Sequence, residues 1–585
     1  MNPSTTAVQP GHAGRLGPDE HRAAWERLAG GNVDVLIVGG GVTGAGAALD
    51  AATRGLSTAL VEARDLASGT SSRSSKLFHG GLRYLEQLEL PLVREALRER
   101  ELMLTRIAPH LVEPVSFLYP LRHRGWERLY FGAGLALYDT LGGRSTLPRH
   151  RHLTRAGARR LCRSLKPSAL VGGVVYHDAQ TDDARHTMTV ARTAAAHGAV
   201  VRSSTEVVDL LREDDRVVGA VLRDSDTGDT CRLRARVVLN CTGVWNDEVQ
   251  RLTGERGGFS VRASKGVHLV VPQDRIDSGT GLILRTENSV LFVIPWRGRW
   301  VIGTTDTDWR LDRAHPAATS ADIDYVLGQV NKVLAVPLTR DDVLGVYAGL
   351  RPLLSAGEGT STAKLSREHA VHRSVPGLVS VAGGKYTTYR VMARDAIDAC
   401  APDLVRGAAG RLAPSVTAEV PLLGAVGYRA MARRTSELAA ELGVPETRVS
   451  HLLRRYGTMS HTVLAPAADD PTLLEPLEGA LDYLRAEVRY AATHEAALHL
   501  DDVLTRRTRI SVETAHRGID SAADAAALVA PVLGWDDATA AREVEAYRAR
   551  VESERASQEE PDDAGANAAR LAAPGLRRTW APAHG

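Results

Sequence analysis

The segment Lys265-Gly-Val-His268 sets an ammonium three residues before an imidazole, just ahead of a strand of alternating apolar residues. A neutral imidazole can take a proton from a hydroxyl, since its unperturbed pKa lies near about 6.5. Nearby cations would lower that pKa and keep the ring a base at neutral pH. The competing reading is a histidine that makes only a structural hydrogen bond. Four further clusters suit anions. Ser68, Thr70, Ser71, Ser72, Ser74, Ser75 and Lys76 gather hydroxyls and one ammonium in a single loop, able to meet phosphate and ring oxygens or merely to face solvent. In His79-Gly80-Gly81-Leu82-Arg83-Tyr84, glycines allow close backbone approach and Arg83 can fork onto a phosphate or alkoxide, although taken alone it reads as a surface residue. Gly349-Leu350-Arg351-Pro352 offers a second guanidinium, with a salt bridge as its alternative. Gly383-Gly384-Lys385-Tyr386-Thr387-Thr388 puts glycines, a cation and hydroxyls at the start of a helix, which suits an anionic or electron-rich ring edge.

The element that must position these groups begins at Val35. Val35–Val38 is an apolar run of the kind that forms a buried parallel strand, and Gly39, Gly41 and Gly44 then fit G-x-G-x-x-G. A helix over Ala45–Arg54, a stop at Gly55 and a second apolar strand, Thr58–Val61, supply the context that a lone glycine pattern lacks. Glu62 stands at the tip of that strand, where an acid accepts the ribose hydroxyls of an adenine dinucleotide. The helix N-terminus meets the pyrophosphate.

Around this unit, 585 residues imply two or three domains. A formal charge of +2 gives no global reason to expect nucleic acid as a partner. Cys162, Cys231, Cys241 and Cys400 are scattered, with neither metal spacing nor a disulfide framework, as suits a reducing cytosol. Residues 1–30 read as a disordered tail, and no run reaches the roughly 20 apolar residues that cross a bilayer. Separated βαβ pieces recur up to residue 250. Short alternating strands then indicate an antiparallel sheet from about 260 to 345, GLVSVAGG (377–384) returns to the parallel type, and helices dominate from Pro414 to about Arg555. Residues 556–585, acidic and then rich in Ala and Pro, read as a second disordered tail. Residues 126–141, WERLYFGAGLALYDTL, form an apolar stretch flanked by Trp126, Arg128 and Arg144. It suits either packing in a core or resting at lipid headgroups.

Taken in order, VLIVGGGVTGAGAALDAATRGL, SSRSSKLFHGGLRYLE, TDDAR (181–185), NCTGVW, KGVHLVVP, FVIPW…GTTDTD, AGLRPL, GGKYTTYR and DDVLTRRTR (501–509) resemble the FAD-dependent glycerol-3-phosphate dehydrogenases of the respiratory, quinone-linked type. The likeness covers roughly residues 30–520, and RRYG at 454–457 extends it into a C-terminal capping domain. The resemblance implies an α/β chain: a glutathione-reductase-like FAD-binding Rossmann domain, an antiparallel β-sheet substrate cap and a C-terminal helical domain. The FAD-dependent region would span 31–410, with the FAD domain at about 31–110, 170–250 and 346–410 and the cap at about 111–169 and 251–345; the helical domain would span 411–555.

It further implies that Gly39, Gly41, Gly44 and Glu62 hold the ADP end of FAD and that Val207 also contacts the cofactor. Thr70, Ser71, Ser75, Lys76, Gly243, Gly384, Lys385, Tyr386 and Thr387 would line the flavin end. Arg83, Tyr84, His268, Arg351 and Lys385 would surround sn-glycerol 3-phosphate, with His268 as base, Arg351 on the phosphate, and Arg83 and Lys385 stabilising alkoxide or flavin charge. No metal is implied. The expected product is dihydroxyacetone phosphate, the expected acceptor a membrane quinone, and the expected location cytoplasmic, peripheral on the inner face of the cell membrane. An oxygen-reducing oxidase, an amine or amino-acid oxidase and a non-catalytic flavin-binding module are the alternatives. A homodimer is left open.

Overall fold

The computed structural model describes residues 14–577 apart from 82–84, 86–87, 124, 144, 255–258, 288–289, 355–367 and 406–410. Two sheets organise it. In the first, Asn32–Val38 lies between Thr58–Val61 and Thr230–Asn240, all parallel. Val200–Arg202 extends it on one side and Leu378–Gly383 on the other, again in parallel. These strands are nearly continuous apolar runs because both faces are covered: Val42–Thr53, Asp183–Ala196 and Tyr389–Ala399 pack on one face. On the other face lies a helix at Pro18–Leu28.

The second sheet has ten strands among the described residues and is mixed. Val261–Pro272 pairs antiparallel with both Arg299–Gly303 and Gly345–Leu354, and Val112–Leu121 pairs antiparallel with Gly172–Thr181 over ten residues. The helix Trp126–Leu141 packs on this sheet through Leu135 and Tyr138.

Three expectations need correction. Residues 1–30 are not a loose tail throughout: Pro18–Leu28 opens with Pro at its first turn, Asp19 and Glu20 complement the helix dipole, and Ala24 and Leu28 are buried. Residues 556–585 are not wholly disordered either. The helix Asp537–Glu559 runs past 555, and a further helix, Asp563–Leu571, is capped by Asp562, whose carboxylate accepts the Gly565 N–H at 2.9 Å. Alanine-rich sequence offers little apolar area, but alanine is the best helix former and Ala566 packs fully buried. Finally, residues 172–181 and 345–354 belong to the second sheet, not to the FAD domain, because their backbone pairs with Val112–Leu121 and Val261–Pro272. Sheet membership is set by pairing, which periodicity does not report.

Candidate active site

A cavity of about 1160 Å³ opens at the carboxyl ends of the parallel strands and runs onto the second sheet, where open α/β sheets bind their ligands. At one end stand Gly39, Gly41, Glu62 and Val207. Gly39 has φ +108°, and a Cβ on Gly44 would lie 1.9 Å from the Gly39 carbonyl oxygen, so the turn and the helix–strand contact both require glycine. Gly44 therefore serves packing and does not line the cavity. Glu62 accepts the Gly40 N–H at 2.7 Å and the Arg64 N–H at 2.9 Å, bracing the glycine turn while its carboxylate keeps further lone pairs. Ser71 Oγ accepts the Val42 N–H at 2.9 Å, which ties the serine loop to the helix N-terminus. The Arg64 guanidinium lies 4.6 Å over the Trp245 ring beside them. A glycine turn, open helix N–H groups, an acid at the neighbouring strand tip and a long adjoining cavity fit an adenine dinucleotide.

Thr70, Ser71, Ser75, Gly243, Gly384, Lys385, Tyr386 and Thr387 line the middle and far parts of the same cavity. Thr70 Oγ1 donates to the Leu350 carbonyl at 2.6 Å, and the His79 N–H donates to Thr387 Oγ1 at 3.1 Å. The Tyr386 hydroxyl points behind the wall, to the Asp183 carbonyl at 2.8 Å. Lys76 departs from expectation: its side chain turns away from the cavity, and its ammonium donates to Asp183 Oδ1 at 2.8 Å. Burial and the Arg509 charge lower its pKa, and the attraction of Asp183 and Asp182 opposes them.

His268 and Arg351 meet at the far end, on the paired strands Val261–Pro272 and Gly345–Leu354. His268 is 2 % exposed. Its Nε2 lies 2.8 Å from Ser75 Oγ, its ring stacks on Tyr347 at 4.8 Å between centroids, and Nδ1 makes no hydrogen bond among the described residues. Burial, then the Arg351 and Lys76 charges, hold its pKa well below the ordinary histidine value, so the imidazole is neutral at pH 7. Arg351 Nη2 donates to Thr304 Oγ1 at 3.0 Å and to the Thr305 carbonyl at 3.1 Å, and Asp306 is 3.7 Å from Nη1. A Cβ on Gly266 would fall 2.5 Å from Arg351 Nη2, so glycine makes room for the guanidinium. Arg83 and Tyr84 lie outside the described residues.

Tyr347, Ser264 and Thr304–Asp306 had been given no role. Tyr347, Gly349 and Arg351 alternate along one strand, so the period of two already places them on one face. The partners of Arg351 come from a separate strand end, which no local pattern reveals. The blocks TDDAR and DDVLTRRTR form a buried ion network behind the wall. Asp183 takes hydrogen bonds from Lys76 and from the Ser74 N–H and hydroxyl, and pairs with Arg509. Asp182 pairs with Arg509 and Arg455, and Asp65 with Arg506 and Arg507. The C-terminal domain thereby holds the serine loop, with Arg509 also donating to the Ser72 carbonyl at 3.0 Å, while Arg506 and Arg455 keep partners within their own domain in Asp501, Asp502 and Glu487. Among the described residues, no group of His, Cys, Asp and Glu could hold a metal ion.

Comparison with known proteins agrees with this geometry. Residues 34–390 match the FAD dependent oxidoreductase family, and residues 415–540 match the C-terminal domain of alpha-glycerophosphate oxidase. Glycerol-3-phosphate dehydrogenase 2 of Mycobacterium tuberculosis is 61% identical over 565 residues, 97% of this chain and 96% of that one. The mitochondrial glycerol-3-phosphate dehydrogenase of Homo sapiens is 35% identical, over 88% of this chain and 72% of its own. The glycerol-3-phosphate dehydrogenase of Bacillus halodurans, solved with FAD, superimposes with a TM-score of 0.75 at 29% identity, covering 92% of this chain and 98% of that one.

Proposed function

From a chain that belongs to the FAD-dependent glycerol-3-phosphate dehydrogenases, we propose oxidation of sn-glycerol 3-phosphate to dihydroxyacetone phosphate with electrons passed to a membrane quinone. The observation that carries this reading is the pairing, at one end of one cavity, of a buried neutral imidazole with a guanidinium. Bound FAD supplies the acceptor for the hydride that leaves C2. Gly39, Gly41, Glu62 and Val207 hold its ADP part, and Thr70, Ser71, Ser75, Gly243, Gly384, Tyr386 and Thr387 its flavin part. His268 takes the C2 hydroxyl proton, with Ser75 and Tyr347 fixing the ring. Arg351 binds the phosphate, and Lys385 with Arg83 and Tyr84 completes the substrate shell. Converging cations favour a dianionic phosphate over a neutral amine, which separates this reading from amine oxidation on the same fold.

Quinone as acceptor, with the chain peripheral on the inner face of the cell membrane, is supported by the helix Trp126–Leu141. Trp126, Leu129, Tyr130 and Leu137 are 61, 75, 49 and 39 % exposed on it, an apolar, aromatic surface suited to lipid headgroups. No described helix is long and apolar enough to cross a membrane.

The test is anaerobic. Adding sn-glycerol 3-phosphate to the purified flavoprotein should bleach the flavin, and a short-chain quinone should restore the colour faster than air does. Faster restoration by air would make the protein an oxidase, and no bleaching would end the proposal. Arg351→Ala should raise KM by roughly tenfold to a hundredfold, since a charge-assisted hydrogen bond contributes about 1.5–3 kcal/mol.

A further inference from the structure

Behind the cavity wall lies a second, smaller cavity of about 50 Å³, bounded by Ser72, Arg73, Tyr347, Ser511, Arg550 and Arg570 among others. Among the described residues, only Arg73 faces both. The residues around the small cavity carry more positive than negative charge. Among the described residues Glu554 is its one lining carboxylate, and three guanidinia share it: Arg550 at 3.3 Å, Arg570 at 3.7 Å and Arg517 at 3.7 Å. Asp501, the other partner of Arg550, is also bound by Arg506. Arg73 has no carboxylate partner among the described residues. It donates to the Ala314 carbonyl at 3.1 Å, and the strongest charges on it are those of Arg64, Arg570, Arg506 and Arg550, with Glu554, already shared by three guanidinia, acting in the opposite sense.

Two hydrogen-bonding groups on the cavity wall have no partner among the described residues: Ser511 Oγ, on a residue 3 % exposed, and Arg550 Nη1. A buried guanidinium surplus with unsatisfied N–H and O–H groups costs stability unless an anion meets it. Water can satisfy the hydrogen bonds, but it leaves the charge uncompensated. The space would hold roughly three to five waters, or one tetrahedral oxyanion of comparable bulk.

We propose that this cavity between the serine loop and the C-terminal helices is a binding site for a small tetrahedral oxyanion of the phosphate–sulfate class, distinct from the dinucleotide and substrate sites. The anion would accept from Ser511 Oγ and Arg550 Nη1 and neutralise Arg73. It would thereby bridge the C-terminal domain to the loop that carries Ser75.

Equilibrium dialysis of inorganic phosphate against the FAD-loaded full chain tests it. Wild type should bind two phosphates per chain and Arg351→Ala one, because the Arg351 site is lost and the cavity site remains. In the Arg351→Ala background, Ser511→Val and Arg550→Gln should each weaken the remaining site about tenfold or more. Ser511→Val breaks no hydrogen bond, so it decides the matter if Arg550→Gln fails to fold. No saturable binding in Arg351→Ala, or unchanged affinity in Ser511→Val, would overturn the proposal. Equal counts in wild type and Arg351→Ala would instead sink the assignment of Arg351 and leave the cavity site standing.

Discussion

His268 is useful as a base only if it stays unprotonated, and its surroundings ensure that. Burial opposes the imidazolium first, and the Arg351 guanidinium opposes it next. The sign follows directly: a depressed pKa keeps the neutral ring available down to well below pH 6.5, so the acid limb of kcat/KM that belongs to this group falls there. Arg351→Gln removes one of the two cations and should move that limb upward, while burial keeps it below the ordinary value. The substrate phosphate ionises near about pH 6 in both enzymes, so the displacement between wild type and variant is the readout. Stopped-flow flavin reduction from pH 4.5 to 8 measures it, and superimposable limbs would mean that Arg351 does not act on the ring. Most of this site was legible as residues: His268, Arg351 and Lys385 stood in short motifs with glycines beside them. Tyr347 and Thr304 did not, because stacking and strand-end contacts arise from register between segments about 40 to 80 residues apart.

Among the elements, the helix Trp126–Leu141 shows how far pattern can go. Its length and its apolar character were readable, but which face would stay uncovered was not, since that depends on Leu135 and Tyr138 docking on the second sheet. The docked side also ties the helix to the site. The Tyr138 hydroxyl donates to Asp178 at 2.7 Å and accepts the Gly80 N–H at 2.9 Å. Replacing Trp126 and Leu129 together by Ser removes two side chains each contributing about 1.5–3 kcal/mol on burial, so sedimentation with anionic-lipid vesicles should fall at least tenfold. Flavin reduction in solution should be unchanged. Equal sedimentation of wild type and variant would show that lipid meets another face. The two terminal helices were missed for a different reason: with small side chains, Asp563–Leu571 buries little area by itself. It is held by Lys265, which pairs with Asp322 at 2.6 Å and with Asp563, and by Asn567, whose side-chain oxygen accepts the Asp312 N–H at 3.2 Å. Contacts over such sequence separations leave no local trace.

For the whole molecule, buried charge sets the conditions under which the fold persists. Burial holds His110 and His186 at about 3, and burial with Arg202 holds His21 at about 4. Unfolded, each titrates near 6.5. Below that value the unfolded chain binds protons that the folded chain refuses, so stability falls as pH drops. His499 works in the opposite sense. Burial and Arg577 pull its pKa down, but hydrogen bonds to Asp226 at 3.1 Å and Glu543 at 2.8 Å, with the Asp502 charge, outweigh them and raise it to about 9. Its contribution is complete below pH 6.5 and is lost as pH rises through about 9. A shift of that size is worth about 3 kcal/mol, a large part of a stability that typically totals about 5–15 kcal/mol. The Tm of the FAD-loaded protein should therefore peak near pH 6.5. His499→Gln should lower Tm by a constant amount at and below pH 6.5, keeping the slope of the acid side, and should flatten the decline between pH 6.5 and 9. An alkaline limb that keeps its slope in the variant would place the controlling charge elsewhere, among the arginines and carboxylates through which the C-terminal domain grips the serine loop.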